Sequence, residues 1–127
     1  AHNAAGLASF RTSLQFHFGS PKAIGVVGML GDKDVWSGAR ELAGVFDHLI
    51  LTTAPGSRGL PALELADVFS SEGIEVEDIE DDFWQAYEQA IRLGQKTNKP
   101  VFVTGSLYLV GAVLERLQMQ DKEDIAE

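Results

Sequence analysis

Three short apolar runs rich in β-branched residues punctuate the chain: Ala23 to Met29, His48 to Ala54 and Pro100 to Gly105. Each is about as long as a buried strand. In a fourth run, Ile74 to Ile79, the apolar residues Ile74, Val76 and Ile79 are broken up by acids, as in a half-exposed or edge strand. Between the runs the period becomes helical. Leu7, Phe10 and Leu14 share one face, as do Phe83, Trp84, Tyr87, Ala90 and Ile91. Leu107, Val110, Leu114 and Leu117 predict the buried stripe of a last helix, with Glu115, Arg116 and Gln118 toward solvent and a fraying polar end after Met119. Val35 to Phe46 and Pro61 to Ser71 complete the helices. Pro61 suits a first helical turn, and Gly73 suits the position just past the end.

Strand and helix therefore alternate along the whole chain, which predicts an α/β fold: a Rossmann-like three-layer sandwich, mostly parallel, with helices on both faces. No linker or repeat divides residues 1–127, so a single domain is expected. The chain opens on a helix where a doubly wound domain usually begins on a strand, so the pattern reads as one strand short.

Composition narrows the classes of partner. Ten Lys and Arg against nineteen Asp and Glu give a net charge of -9, which repels a nucleic-acid backbone. The acids gather in the tail from Asp121 and between Glu72 and Asp82, the latter a segment that could dock a basic partner, whereas Lys22, Lys33, Arg40 and Arg58 lie in the first half. The longest apolar run, Ala23 to Gly31, is far short of the roughly 20 residues of a transmembrane helix, so no membrane span is expected. With no cysteine there is no thiolate metal site or disulfide, which fits a reducing compartment, by default the cytoplasm. His2, His17 and His48 have no metal-ligand spacing, and Gly25, Gly28 and Gly31 lack the Gly-Lys-Ser/Thr ending of a phosphate loop. No metal site is assigned.

Ligands of open α/β sheets bind beyond the carboxyl ends of the strands, which directs attention to the segments after each run. The first, Gly28-Met29-Leu30-Gly31-Asp32-Lys33-Asp34, offers close-turning glycines and alternating charge, able to orient a phosphate, a ribose or a metal-bound water. The structural alternative makes Asp34 a helix cap and leaves Lys33 in solvent. The second, Thr52 to Pro61, presents Arg58 among small residues, either as a two-pronged grip on a carboxylate or phosphate or as a plain surface charge. In the third, Thr104 to Gly111, Ser106 and the free amides of a helix start can hold an anion, or Ser106 is simply the N-cap and Tyr108 a core aromatic.

As a set, these segments resemble the carboxy-terminal domain of folylpolyglutamate and dihydrofolate synthases, of the Mur ligase superfamily. Ala1-His2-Asn3 resembles the end of that family's Asp-Gly-Ala-His-Asn motif, residues 28–34 its Asp-Lys-Asp loop, and Gly105 to Gly111 its Gly-Ser-Leu-Tyr-Leu-Val-Gly signature. Arg58 falls where a Pro-Arg pair usually stands, with Ser57 in place of the proline, and Ala4 replaces a proline frequent after the asparagine.

The resemblance implies an ATP- and Mg2+-dependent, ADP-forming ligase that adds L-glutamate to folate or dihydropteroate through an acyl phosphate. It implies that an amino-terminal ATP-binding domain outside this chain holds nucleotide and metal, that this domain alone is inactive, and that the catalytic groups do not reside in it. His2, Ser106, Tyr108 and Arg58 would contact glutamate, whereas Asn3, Asp32, Lys33 and Asp34 would face the nucleotide or the domain interface. The alternatives are a Mur cell-wall ligase and a non-catalytic metabolite-binding module.

Overall fold

A computed structural model describes residues 23–31 and 34–126. Four strands, β1 (Ile24–Val27), β2 (His48–Leu51), β3 (Asp78–Ile79) and β4 (Val101–Thr104), alternate with four helices, α1 (Val35–Leu42), α2 (Ala62–Ser71), α3 (Phe83–Thr97) and α4 (Leu107–Ala126). The described strands form one parallel sheet in the order β3-β2-β1-β4. The α/β sandwich expected from the alternation is what forms. The predicted helix around Leu7, Phe10 and Leu14 lies outside the described residues.

Period-two alternation divides the core between the two faces of the sheet. Val27, Leu49 and Leu51 point to one face and pack with Val35, Ala39 and Leu42 of α1 and Leu65, Val68 and Phe69 of α2. Ile24, Val26 and Ile50 point to the other face, against Ala86 and Ala90 of α3. Trp84 extends that second layer to Leu109 and Val113 of α4.

Three elements depart from the sequence reading. The fourth run pairs with β2 only at Asp78 and Ile79, because Ile74 and Val76 approach as an extended connection whose side chains pack into the first core layer. On α3 the inward residues are Trp84, Ala86, Ala90 and Gly94, while Tyr87 and Ile91 flank them. Small residues are needed there: a Cβ on Gly94 would lie 2.8 Å from the Lys99 carbonyl. On α4 the buried stripe runs through Leu109 and Val113, at 0% and 3% exposure, whereas Leu107 and Leu114 are 57% and 55% exposed. The polar end also stays helical to Ala126.

The other boundaries follow local chemistry. Pro61 takes the N-cap position of α2 rather than its first turn. Gly73 adopts φ 72 just past the α2 end, a left-handed conformation natural to glycine. The α3 helix starts on Asp82, whose carboxylate accepts from the Trp84 and Gln85 amides at 2.9 and 3.0 Å.

Most carboxylates of the acidic stretch before α3 are hydrogen-bonded to the fold, although several of them stay exposed. Glu72 pairs with Arg40 at 2.7 Å, and Glu77 accepts from the Leu49 amide at 2.7 Å. Asp78 Oδ2 lies 2.7 Å from His48 Nε2, Asp81 accepts from the Thr53 hydroxyl, and Glu80 accepts from the Asp82 amide at 3.0 Å. These carboxylates fasten the short edge strand and start the next helix. His48 thus ties β2 to β3 through Asp78, while His17 lies outside the described residues.

Candidate functional site

The chain moves from β1 outward to β2 and β3, then returns to place β4 on the other side of β1. Its winding therefore reverses between β1 and β4, and the crevice beyond their carboxyl ends is where such sheets bind ligands. The two strand ends are drawn together by the Gly28 amide, which donates to the Thr104 carbonyl at 3.3 Å. Gly105 turns the chain out of β4 at φ 102, and a Cβ there would meet the Gly28 carbonyl at 2.5 Å. Only glycine meets both demands, which explains one glycine of the Gly105 to Gly111 signature.

Ser106 follows, 1% exposed, with its Oγ accepting from the Tyr108 amide at 3.1 Å and its carbonyl accepting from the Val110 amide at 3.1 Å. Of the two sequence readings, N-cap is the one its geometry displays, and the hydroxyl keeps its own proton to donate. Tyr108 goes the other way. It is 58% exposed, so it is not a core aromatic, and with Leu107 it stands at the rim of the crevice.

The loop after β1 and the loop after β2 are joined across the crevice. Gly31 donates its amide to the Arg58 carbonyl, and Leu60 donates to the Met29 carbonyl, both at 2.9 Å, so Leu30 and Gly59 form an antiparallel bridge. Gly59 tolerates no side chain, because a Cβ would sit 1.9 Å from the Ala54 carbonyl oxygen. The bridge carries Arg58 to the wall of a depression of about 200 Å³ lined by Leu30, Pro55, Gly56, Ser57, Arg58 and Tyr108. An adjoining depression of about 420 Å³ shares Leu30, Arg58 and Tyr108 with it and adds Leu107.

The fold thus brings Arg58 and Tyr108 together although fifty residues of chain separate them, with the buried Ser106 capping the helix that carries Tyr108. Asp34 occupies the N-cap position of α1, where its carbonyl accepts from the Gly38 amide at 2.9 Å but its side chain makes no capping hydrogen bond. Asp34 is thus the cap of α1 by position, as the structural alternative had it, through its carbonyl rather than its side chain. His2, Asn3, Asp32 and Lys33 lie outside the described residues. Leu30, Leu107 and Pro55 to Ser57 were missed as lining residues. Their signal was positional: each lies beyond the carboxyl end of a strand.

Chemically, the depression offers one guanidinium, a phenol and apolar walls, a combination suited to a small anionic molecule with a short carbon chain. Among the described residues no three His, Asp or Glu side chains converge to hold a metal ion, so Mg2+ is assigned to no residue here. No helix among them is long and apolar enough to cross a membrane.

A family model described as Mur ligase, glutamate ligase domain matches residues 1–107. A folylpolyglutamate synthase of Lacticaseibacillus casei is 31% identical over 118 residues, covering 92% of this chain. The chain spans only 26% of that relative's length. Among solved structures, Mycobacterium tuberculosis folylpolyglutamate synthase complexed with ADP and AMPPCP superposes with a TM-score of 0.80 and 28% identity, over 89% of this chain and 27% of that one. E. coli FolC in complex with DHPP and ADP superposes with a TM-score of 0.82 and 25% identity, over 95% of this chain and 28% of that one.

Proposed function

This chain belongs to the family of Mur ligase glutamate ligase domains, and on that premise we propose that it handles glutamate in an ATP-dependent ligase acting on folate or dihydropteroate. The observation that carries the reading is the convergence of Arg58 with Leu107 and Tyr108, in the first turn of the Ser106-capped α4, on two adjoining depressions at the reversal of sheet winding. Arg58 is exposed there and has no carboxylate partner among the described residues, so its guanidinium is available to a substrate carboxylate.

In the proposed reaction, ATP transfers its terminal phosphoryl group to a folate or pteroate carboxylate, leaving ADP and an acyl phosphate. The glutamate amine then attacks the acyl carbon. Phosphate leaves, and the amine gives up a proton as the amide forms. This chain's part is to position glutamate: Arg58 grips a carboxylate, Tyr108 walls the amino acid, and Ser106 sets the amide-rich helix start facing it. Nucleotide binding falls mainly to a separate domain of the full enzyme, consistent with the chain's 26% share of its curated relative. His2 joins the glutamate contacts in this reading. Asn3, Asp32, Lys33 and Asp34 face the nucleotide or the domain interface.

The test joins this chain to the nucleotide-binding domain of a folylpolyglutamate synthase and follows ADP release with folate and glutamate. ADP formation dependent on both, with the glutamate KM raised about tenfold or more by Arg58→Ala, is the expected result. Activity with a cell-wall precursor alone moves the chain to the Mur branch, and silence with both acceptors favours a metabolite-binding module. The 127 residues alone are expected to be inactive.

A further inference from the structure

The segment from Thr53 to Ala62 carries Arg58 and is closed at its base in an unusual way. Its helix, α2, begins on Pro61, which has no side-chain acceptor and no N–H, so the first turn cannot be capped by the residue at the N-cap position. The acceptor comes instead from nine residues upstream: Thr53 Oγ1 takes the Ala62 amide at 2.9 Å. A hydroxyl that accepts in that direction has its own proton left to place, and the Asp81 carboxylate receives it. Asp81 is itself held against the sheet, since its carbonyl accepts from Thr52 Oγ1 at 3.4 Å and Glu80 beside it donates its amide to the Leu51 carbonyl at 2.9 Å.

We infer that Asp81 and Thr53 are positioning residues for the Arg58 loop, so that the sheet edge opposite β4 sets the geometry of the glutamate pocket. This rests on the functional reading above. The loop has two fastenings. The Leu30–Gly59 bridge holds its tip, and the Asp81–Thr53–Ala62 relay holds its base; Arg58 lies between them and has no other described side-chain tether. Releasing the base leaves the tip bridge and the packing of Ala54 and Leu60 to restrain a segment rich in glycine, proline and serine, and the guanidinium then samples positions away from Tyr108.

The experiment is amide hydrogen exchange on the 127-residue chain, together with glutamate KM in the joined ligase, for Thr53→Val, Thr53→Ser and Asp81→Ala. Thr53→Val and Asp81→Ala should speed exchange at Gly31 and Leu60, whose amides donate to Arg58 and Met29 in the tip bridge and not to Thr53, by about tenfold. Exchange at Val26 and Ile50 should stay unchanged, and Thr53→Ser should restore the wild-type pattern. In the ligase the same two variants should raise the glutamate KM while sparing kcat. Unchanged exchange at Gly31 and Leu60 overturns the inference, as does faster exchange with an unaltered glutamate KM in an active ligase. Faster exchange in a chain whose wild-type form shows no glutamate-dependent activity overturns the functional reading and leaves the loop fastening in place.

Discussion

The acidic segment from Glu72 to Asp82 and the signature from Gly105 to Gly111 make opposite use of their side chains. In the acidic segment, charged groups that look free in sequence are bonded, while still at the surface, to Arg40, His48, Thr53 and the amides that open α3. In the signature, Leu107 and Tyr108, which look internal in sequence, are turned outward to the rim of the crevice, while Leu109 beside them stays in the core. The difference teaches that polarity alone does not mark a functional surface. A carboxylate near free backbone amides is more useful to the fold than to a partner, because those amides need acceptors. A large side chain left exposed at a strand end is the stronger pointer to a ligand.

Substitutions can break this contrast, beginning with the largest expected effect. Gly105→Ala should destabilise the chain by about 3 kcal/mol in urea unfolding, since it adds a clash with the Gly28 carbonyl to an unfavourable φ. A loss below about 1 kcal/mol would mean the two strand ends separate easily. Asp82→Ala removes the acceptor for two amides at the start of α3 and should lower stability by about 1.5 kcal/mol. Glu77→Ala, which frees the Leu49 amide at the sheet edge, should lower it by about 1 kcal/mol. If either acid proves neutral to folding, the structural role assigned to the segment is wrong. Tyr108→Ala sharpens the other side of the contrast: the folding midpoint should shift by less than about 0.5 kcal/mol in equivalent stability, while the joined ligase loses affinity for glutamate.

Much of the architecture is legible in residue order. The β-branched runs locate β1, β2 and β4, and the swap to helical period with Pro61 and Gly73 as boundary marks locates α2. Of the site, Ser106 as a helix start and Arg58 as a loop charge are readable from type and place. The apolar surface of α4 is where periodicity fails. Leu107, Leu109, Val110, Val113, Leu114 and Leu117 offer two overlapping stripes at helical spacing, and the sequence reading takes the one containing Leu107 and Leu114. Packing against Trp84 selects the stripe of Leu109 and Val113 instead.

By itself, then, the sequence determined the kind and order of the elements and the segments that lie beyond strand ends, because period, β-branching and turn residues act over a few neighbours. Tertiary structure alone decided the strand order, the stripe of α4 that faces inward, the Leu30–Gly59 bridge and the Thr53–Asp81 fastening. Each of these joins residues that are distant in the chain. Their partners are chosen by which surfaces the folded sheet brings into contact, and no local spacing encodes that choice.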